Sequence, residues 1–201
     1  MNQVLQRYKN EEIYYRTDHH WTTYGAYQAY QALMEDWGLQ AVSWEDLQPY
    51  RQKAEGFYGT FYSKSKLFSA QPDTIDWFDI PVSSVTIDGK EADGLYDRAK
   101  FQTRDKYAAF LQGNNGVTVI RSENNLNRQE GKTSRLLLIK DSYSNSLAPF
   151  FTYSFDEVVV VDPRSIRGMK ELLASETFDR VLVLYNFMNY TSDNNIARLR
   201  Y

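Results

Sequence analysis

Cysteine is absent from the 201 residues of this chain. Its absence excludes disulfides, zinc sites with thiolate ligands and a cysteine nucleophile. A chain without thiols fits the cytosol, and it equally fits a bacterial cell-surface protein that avoids them. Any nucleophilic catalysis must therefore come from another side chain.

Long runs of basic residues and long runs of apolar residues are also missing. The net charge is −3, with no basic run and no basic helix face, so nothing indicates a nucleic-acid partner. The sequence has no secretory signal and no apolar run of about 20 residues that could span a membrane. Because Met1 opens directly onto a polar segment, we expect the full-length protein to carry an N-terminal membrane anchor that this chain lacks.

Tyrosine is frequent instead, with 16 residues beside 11 Phe and 4 Trp. Tyr and Trp combine an apolar ring with a polar tip, which suits wet binding clefts and the faces of sugars. The same composition is equally typical of a core and surface rich in tyrosine. The length suits one domain covering residues 1–201.

The two histidines of the chain stand side by side, in the stretch TDHHWTTYGAYQAY. Thr22 or Thr23 can cap a helix that runs to about Trp37 and ends at Gly38, and the apolar residues between them recur at helical spacing. His19 and His20 are thus predicted to lie in the turn just before a helix begins.

Residues 56–97 differ in character from the rest. Short aromatic and β-branched stretches there are separated by Gly, Pro and Asp, and Asp88-Gly89 is a good hairpin turn. We predict a β-rich insertion over residues 56–97.

The last hundred residues predict an α/β fold. Apolar strands are predicted at residues 116–122, 135–139, 158–161 and 181–184, with a short helix after Ser142 and an amphipathic helix over residues 165–175. Continuous apolar strands that alternate with helices favour a parallel sheet covered on both faces. Ligands bind such sheets at the carboxyl ends of the strands, where Asp141-Ser142, Asp162 to Arg164 and Tyr185-Asn186 stand.

Ser142 stands where a strand turns into a helix, a position that exposes a hydroxyl beside outward-pointing N–H groups. A serine needs a base to take its proton, and His19 and His20 are the imidazoles available. Asp18, beside them, can hold the tautomer of such a base. The alternative for Ser142 is a helix N-cap, and the alternatives for the histidine pair are a surface turn, a metal site or a partly buried pair.

The strings TDHHWTTYGAYQAY, LLLIKDSYSNSLAPFF and VVVVDPRSI resemble the DHHW family of bacterial proteins. That family is similar to the O-acetyltransferases of alginate and other exopolysaccharides, whose domains resemble SGNH hydrolases. The resemblance covers about Tyr14 to Asn195 and implies a three-layer, flavodoxin-like α/β fold. It also implies a polysaccharide or acetyl-ester substrate, a membrane-bound acyl-donor protein as a partner, and a place in the cell envelope outside the cytoplasm.

Carried over by position, the resemblance makes Ser142 the nucleophile, His20 the base and Asp18 the carboxylate. His19 then occupies the variable middle position. Lys140 is a departure, because the family pattern has Gly before the Asp-Ser pair, and this affects the expected geometry of the turn. The candidates for oxyanion stabilisation or substrate binding are Asn186, Arg164, Trp21 and Tyr143.

Two competing functions stay open on the sequence. A metal-dependent phosphoesterase would need carboxylate ligands such as Asp141 and Asp162 in addition to the histidines. The other competitor is a carbohydrate-binding or scaffolding domain that keeps the fold without activity. The acyl-transfer interpretation needs no cofactor and no metal.

Overall fold

The computed structural model describes residues 2–166 and 168–195. Its α-helices are α1 (Asn2–Arg7), α2 (Thr23–Trp37), α3 (Trp44–Leu47), α4 (Thr60–Ser65), α5 (Met169–Ser175) and α6 (Phe187–Ser192). Its strands are β1 (Arg51–Phe57), β2 (Asp73–Phe78), β3 (Ser84–Ile87), β4 (Lys90–Ala92), β5 (Val117–Arg121), β6 (Arg135–Lys140), β7 (Glu157–Val161) and β8 (Arg180–Leu184). Short 3₁₀ segments cover Gln48–Tyr50, Arg98–Gln102, Lys106–Ala109, Ser142–Asn145 and Ala148–Tyr153. None of the helices in the described ranges has the length and apolar character needed to cross a membrane.

Helix α2 has the boundaries that its sequence predicts. The Thr22 side chain accepts a hydrogen bond from the Gly25 N–H, and Gly38 ends the helix with a φ of 66°. A left-handed residue at this position suits glycine because it has no Cβ. The buried face of α2 includes Tyr27 and Tyr30, whose rings contact Phe150. The prediction of this helix is confirmed.

The main sheet has six strands in the order β4-β3-β5-β7-β6-β8. Strand β6 pairs in parallel with both β7 and β8, whereas β5 pairs antiparallel with β7 and β3 pairs antiparallel with β5 and β4. Of the four strands predicted to form a parallel sheet, β6, β7 and β8 are parallel, whereas the prediction is wrong for β5, so the sheet is mixed. Strand β5 lies between β3 and β7 and runs antiparallel to both, so neither pairing needs the crossover connection that parallel neighbours require.

The predicted insertion, residues 56–97, contributes directly to the main sheet. Strands β3 and β4 form a hairpin at its edge, with Asp88 and Gly89 both at positive φ (48° and 80°), as a two-residue hairpin turn requires. Strands β1 and β2 form a separate two-stranded antiparallel sheet, and α4 lies between them in sequence.

Strands β6 and β7 are buried on both faces, as their continuous apolar sequences predict. The side chains of Leu136 and Leu138 join the large core that contains α2, while those of Leu137 and Ile139 join a smaller cluster on the other side. The smaller cluster includes Ile166 and packs against residues of α5 and the loop that follows it. Of the helix predicted over residues 165–175, α5 forms the part from Met169, and position 167 lies outside the described residues.

Candidate active site

Ser142 begins a 3₁₀ turn directly after β6. The preceding Asp141 is fully buried, and its carboxylate accepts hydrogen bonds from the N–H groups of Tyr143 (2.9 Å) and Asn186 (2.9 Å) and from the Asn189 side chain (2.7 Å). Asp141 therefore ties the turn to the segment after β8. This fixes the direction in which the next residue, Ser142, leaves the sheet.

The loop before α2 is held against the small sheet. The N–H and hydroxyl of Thr17 donate to the Asp73 carboxylate at 2.8 and 2.6 Å. On the next residue, the Oδ2 atom of Asp18 accepts the Thr60 N–H at 2.7 Å. Residues from β2 and from the start of α4 thus position the side chain of Asp18.

These two parts of the chain meet at the histidine pair. The His20 Nε2 atom lies 2.9 Å from the Ser142 hydroxyl oxygen, and the His20 Nδ1 atom lies 2.5 Å from Oδ1 of Asp18. A carboxylate only accepts, so Nδ1 carries the ring proton and Nε2 is left to accept the proton of Ser142. Ser142, His20 and Asp18 therefore form one continuous hydrogen-bonded chain.

The electrostatics of the chain favour a neutral histidine beside an ionised aspartate. Burial lowers the pKa of His20, and the neighbouring Asp18 offsets this only in part. Burial alone would raise the pKa of Asp18, but hydrogen bonds to His19, His20 and the Thr60 N–H hold it well below its usual value. A neutral imidazole oriented by a carboxylate is the form that can remove a proton from serine.

We expect the acid limb of the pH profile to lie below the ordinary histidine pKa of 6.5. Lowering the pKa of His20 keeps its ring neutral, and therefore able to act as a base, to lower pH. The measurement is kcat/KM for p-nitrophenyl acetate as a function of pH. An acid limb at or above 6.5 would contradict the burial of a neutral His20.

The two histidines differ in their surroundings. The His20 side chain is 7% exposed, whereas that of His19 is 35% exposed. The Nδ1 atom of His19 lies 2.7 Å from the Thr60 hydroxyl and 3.6 Å from Asp18 Oδ1. His19 thus lines the site, and in the described residues it forms no hydrogen bond with Ser142.

A cavity of about 440 Å³ opens beside Ser142, His20 and Asp18. Its lining combines hydroxyl, amide and charged side chains with aromatic rings, and the residues come from five separate parts of the chain. Beyond the three residues above, it is lined by His19, Phe57, Tyr58, Gly59, Thr60, Ser63, Arg104, Asp105, Tyr107, Ala108, Gly113, Asn114 and Asn145.

Sequence reasoning missed most of this lining. Tyr107 and Gly59 stand in segments with no motif, so no local signal marks them. Gly113 and Asn114 belong to the stretch Gly-Asn-Asn-Gly before β5, a composition typical of turns, so here a local signal does exist. The Asn114 side-chain oxygen accepts from Asn145 Nδ2 at 3.1 Å, so the other atom of its amide, Nδ2, is a donor that points elsewhere.

The structure places the four weaker candidates outside this cavity. Asn186 caps α6, accepting the Met188 N–H at 2.8 Å, and Arg164 forms a bidentate ion pair with Asp162. Trp21 is buried, and its indole N–H donates to the Tyr143 carbonyl oxygen at 2.8 Å. The Tyr143 hydroxyl donates to the His19 carbonyl oxygen. Trp21 and Tyr143 thus hold the histidine loop against the serine turn, and Asn186 lies with them around a neighbouring groove.

Lys140, the departure from the family pattern, is buried. Its ammonium lies 3.3 Å from Oδ2 of Asp162 and 3.3 Å from the side-chain oxygen of Asn114, with 2% of its side chain exposed. Burial lowers its pKa to about 8, while Asp162 acts to raise it. The Asp162 carboxylate neutralises the charge of the buried lysine, and the turn formed by Asp141 and Ser142 keeps its hydrogen bonds.

Asp18, His19 and His20 also form a group of potential metal ligands in the described residues. The carboxylates expected to complete a phosphoesterase site are engaged elsewhere, Asp141 with three N–H donors and Asp162 with Arg164 and Lys140. The Nδ1 and Nε2 atoms of His20 are both in hydrogen bonds of the serine chain. These residues fit proton transfer better than they fit a multi-ligand metal site.

A family model described as DHHW protein matches residues 1–161, which is most of the chain. The chain belongs to the DHHW family. A solved DHHW family protein from Eubacterium siraeum is 26% identical, with a TM-score of 0.80, and the match covers 96% of this chain and 65% of that one. The chain thus spans about two thirds of the length of this relative.

Two solved structures of Bacillus cereus PatB1 share the fold of this DHHW chain. One, described as carrying a sulfonyl adduct, is 23% identical with a TM-score of 0.73, covering 94% of this chain and 66% of that one. The other is 22% identical with a TM-score of 0.71, covering 94% and 68%. No curated protein sequence is significantly similar to this chain.

Proposed function

We propose that this DHHW protein is an acyl-transfer enzyme that uses Ser142 as nucleophile, His20 as base and Asp18 as the orienting carboxylate. The observation that carries the proposal is the continuous hydrogen-bonded chain from Ser142 through His20 to Asp18, beside an open cavity. A base within hydrogen-bond reach of the nucleophile and oriented by a third group is the arrangement that serine acyl transfer needs.

In the first half-reaction, the Ser142 oxygen bonds to the acyl carbon as its proton passes to His20 Nε2. The bond from the acyl carbon to the leaving alcohol then breaks, and His20 returns the proton to that alcohol. In the second, an acceptor hydroxyl or water loses its proton to His20 and attacks the acyl-serine. Ser142 leaves the acyl carbon and recovers the proton, so the enzyme is unchanged and no oxidant or cofactor is consumed.

The developing oxyanion needs donors near Ser142. The Ser142 N–H stands at the start of a 3₁₀ turn, where backbone N–H groups lack partners within the turn. The side-chain amide of Asn114 is the second donor in this proposal, because its oxygen is engaged by Asn145 and Lys140 and the residue lines the same cavity. Asn114 thus takes the role that the sequence favoured for Asn186.

The substrate we propose is a cell-surface or secreted polysaccharide that is O-acetylated or deacetylated. An open cavity lined by hydroxyl, amide and charged side chains suits an acceptor rich in hydroxyl groups. The resemblance to polysaccharide O-acetyltransferases supports the same class, together with a three-layer SGNH-hydrolase-like arrangement, a place in the cell envelope and an acyl-donor protein bound to the membrane.

The test is covalent labelling with phenylmethylsulfonyl fluoride, followed by mass spectrometry of the peptide that contains Ser142. A structure of PatB1, which shares the fold, is described as carrying a sulfonyl adduct, so a sulfonyl fluoride is a suitable reagent here. We expect one adduct per chain on Ser142, and we expect release of p-nitrophenol from its acetyl ester that EDTA does not change. Ser142→Ala should abolish both reactions.

Ser63→Ala is the matched control, because Ser63 lines the same cavity and bonds to Arg104 rather than to a histidine. It should be labelled and hydrolyse the ester like the unchanged protein. Equal behaviour of Ser142→Ala and the unchanged protein in both assays would favour a binding domain without activity. Loss of hydrolysis on chelation would favour the metal-dependent alternative.

A further inference from the structure

Tyr107 contacts both halves of the candidate site. It lies in the 3₁₀ segment Lys106–Ala109, is 5% exposed, and lines the cavity beside Ser142. The segment carries no motif, and the proposed acyl-transfer steps do not use this residue.

The ring of Tyr107 stacks on the imidazole of His20. The two ring centroids are 3.8 Å apart and the planes are inclined by 12°. The face of an aromatic ring carries partial negative charge, which attracts a cation placed over it. When His20 takes the proton of Ser142, the resulting imidazolium therefore lies against the face of Tyr107.

The hydroxyl of Tyr107 reaches the serine turn. Its oxygen lies 3.1 Å from the Ser142 carbonyl oxygen, 3.2 Å from that of Tyr143 and 3.1 Å from the Ser146 hydroxyl. Burial raises the pKa of Tyr107 well above its usual value, so the hydroxyl keeps the proton that it donates. One side chain thus stacks on the base and holds the backbone of the nucleophile.

We infer that Tyr107 is a positioning residue that sets the distance between His20 and Ser142 and stabilises the protonated form of His20. The inference rests on the proposed function, since it assigns to His20 the role of base. Two interactions of Tyr107 can be tested separately. Its ring stacks on the imidazole of His20, and its hydroxyl bonds to the backbone of the serine turn. Tyr107→Phe removes only the second, and Tyr107→Leu removes both.

The first measurement is the pKa of the His20 ring by NMR, which is practical because the chain has two histidines and His19→Asn assigns the other. The other titratable groups around this ring are Asp18, His19, Asp141 and Tyr143, which the Tyr107 variants leave in place. Tyr107→Leu removes the ring face that attracts the imidazolium cation. The pKa of His20 should therefore fall by about 0.5 to 1 unit. Tyr107→Phe should leave it within about 0.2 unit.

The second measurement is the rate of sulfonylation of Ser142 as a function of pH. We expect both variants to react roughly tenfold more slowly, because both remove the hydroxyl that bonds to the backbone of the serine turn. The acid limb should move to lower pH in Tyr107→Leu alone. Tyr96→Phe is the control, since Tyr96 is also a buried tyrosine whose hydroxyl bonds to backbone, but it lies outside the cavity.

Equal His20 pKa values in the leucine variant and the unchanged protein would overturn the inference, as would a phenylalanine variant that labels at the unchanged rate. Thermal melts establish that each variant folds, and Tyr107→Met replaces the leucine variant if that one does not. The NMR titration needs no turnover. A protein that fails to react with the sulfonyl fluoride but shows the expected pKa pattern would therefore contradict the proposed function and leave the stacking role standing.

Discussion

Replacing His20 with alanine is expected to lower kcat/KM for p-nitrophenyl acetate by about 10⁴-fold, the scale of losing one member of a serine triad. The imidazole of His20 is the group within 2.9 Å of the Ser142 hydroxyl, and no other base in the described structure contacts that oxygen. Without it, the serine keeps its proton and attacks slowly. The measurement is steady-state hydrolysis of the ester, read beside the rate of sulfonylation of Ser142.

His19→Ala is the matched control, because it removes the same ring from the adjacent position. His19 touches Thr60 and lies 3.6 Å from Asp18, so its loss should weaken activity less than about tenfold. Added imidazole should partly restore His20→Ala, since it supplies the missing base, and should do nothing for His19→Ala. Equal losses in the two variants, without rescue, would show that the pair acts by folding the loop rather than by taking a proton.

The sequence features that held up are local ones. The helix that follows the histidines begins and ends where Thr22 and Gly38 predict, since a side-chain cap and a left-handed glycine act within one turn of the chain. The buried strands β6 and β7 are visible as apolar runs for the same reason. Strand β8 forms where its apolar run predicts, but the prediction that it is buried is wrong. It lies at the edge of the sheet, and the side chains of Val181 and Val183 are exposed. The placement of Ser142 follows from β6, because a polar residue directly after a buried strand must lie at the end of the sheet.

The features that sequence reasoning missed or misjudged depend on contacts between distant segments. Whether β5 runs parallel or antiparallel to β7 depends on the path of the chain between them, and an apolar strand reads the same in both directions. Asn186 stands at a strand end as expected, but its side chain caps α6 instead of entering the cavity. The stacking of Tyr107 on His20 joins residues 87 positions apart in sequence, which no local pattern encodes.

The role of Gly59 also depends on a contact with a distant segment of the chain. Its replacement is the second substitution that we expect to reduce activity strongly. A Cβ atom added at Gly59 would lie 2.2 Å from the Cβ of Asp18 and 2.3 Å from its Oδ2, well inside van der Waals contact. The backbone of Gly59 has a φ of −84°, which any residue adopts, so the need for glycine here comes from this close approach. Gly59→Ala must therefore displace the Asp18 carboxylate from His20 and from the Thr60 N–H.

A displaced Asp18 no longer fixes the proton on Nδ1 of His20, and the wrong tautomer cannot accept from Ser142. We expect kcat/KM for the ester to fall roughly 10³-fold in Gly59→Ala. Gly56→Ala is the control, because Gly56 is a second glycine nearby, at the end of β1. Its φ of 71° makes alanine unfavourable, but no atom lies within 4 Å of the added Cβ, so it should reduce thermal stability while leaving turnover near the unchanged value. If turnover survives in Gly59→Ala, Asp18 is not needed to orient the base. Its role would then be to stabilise the loop before α2.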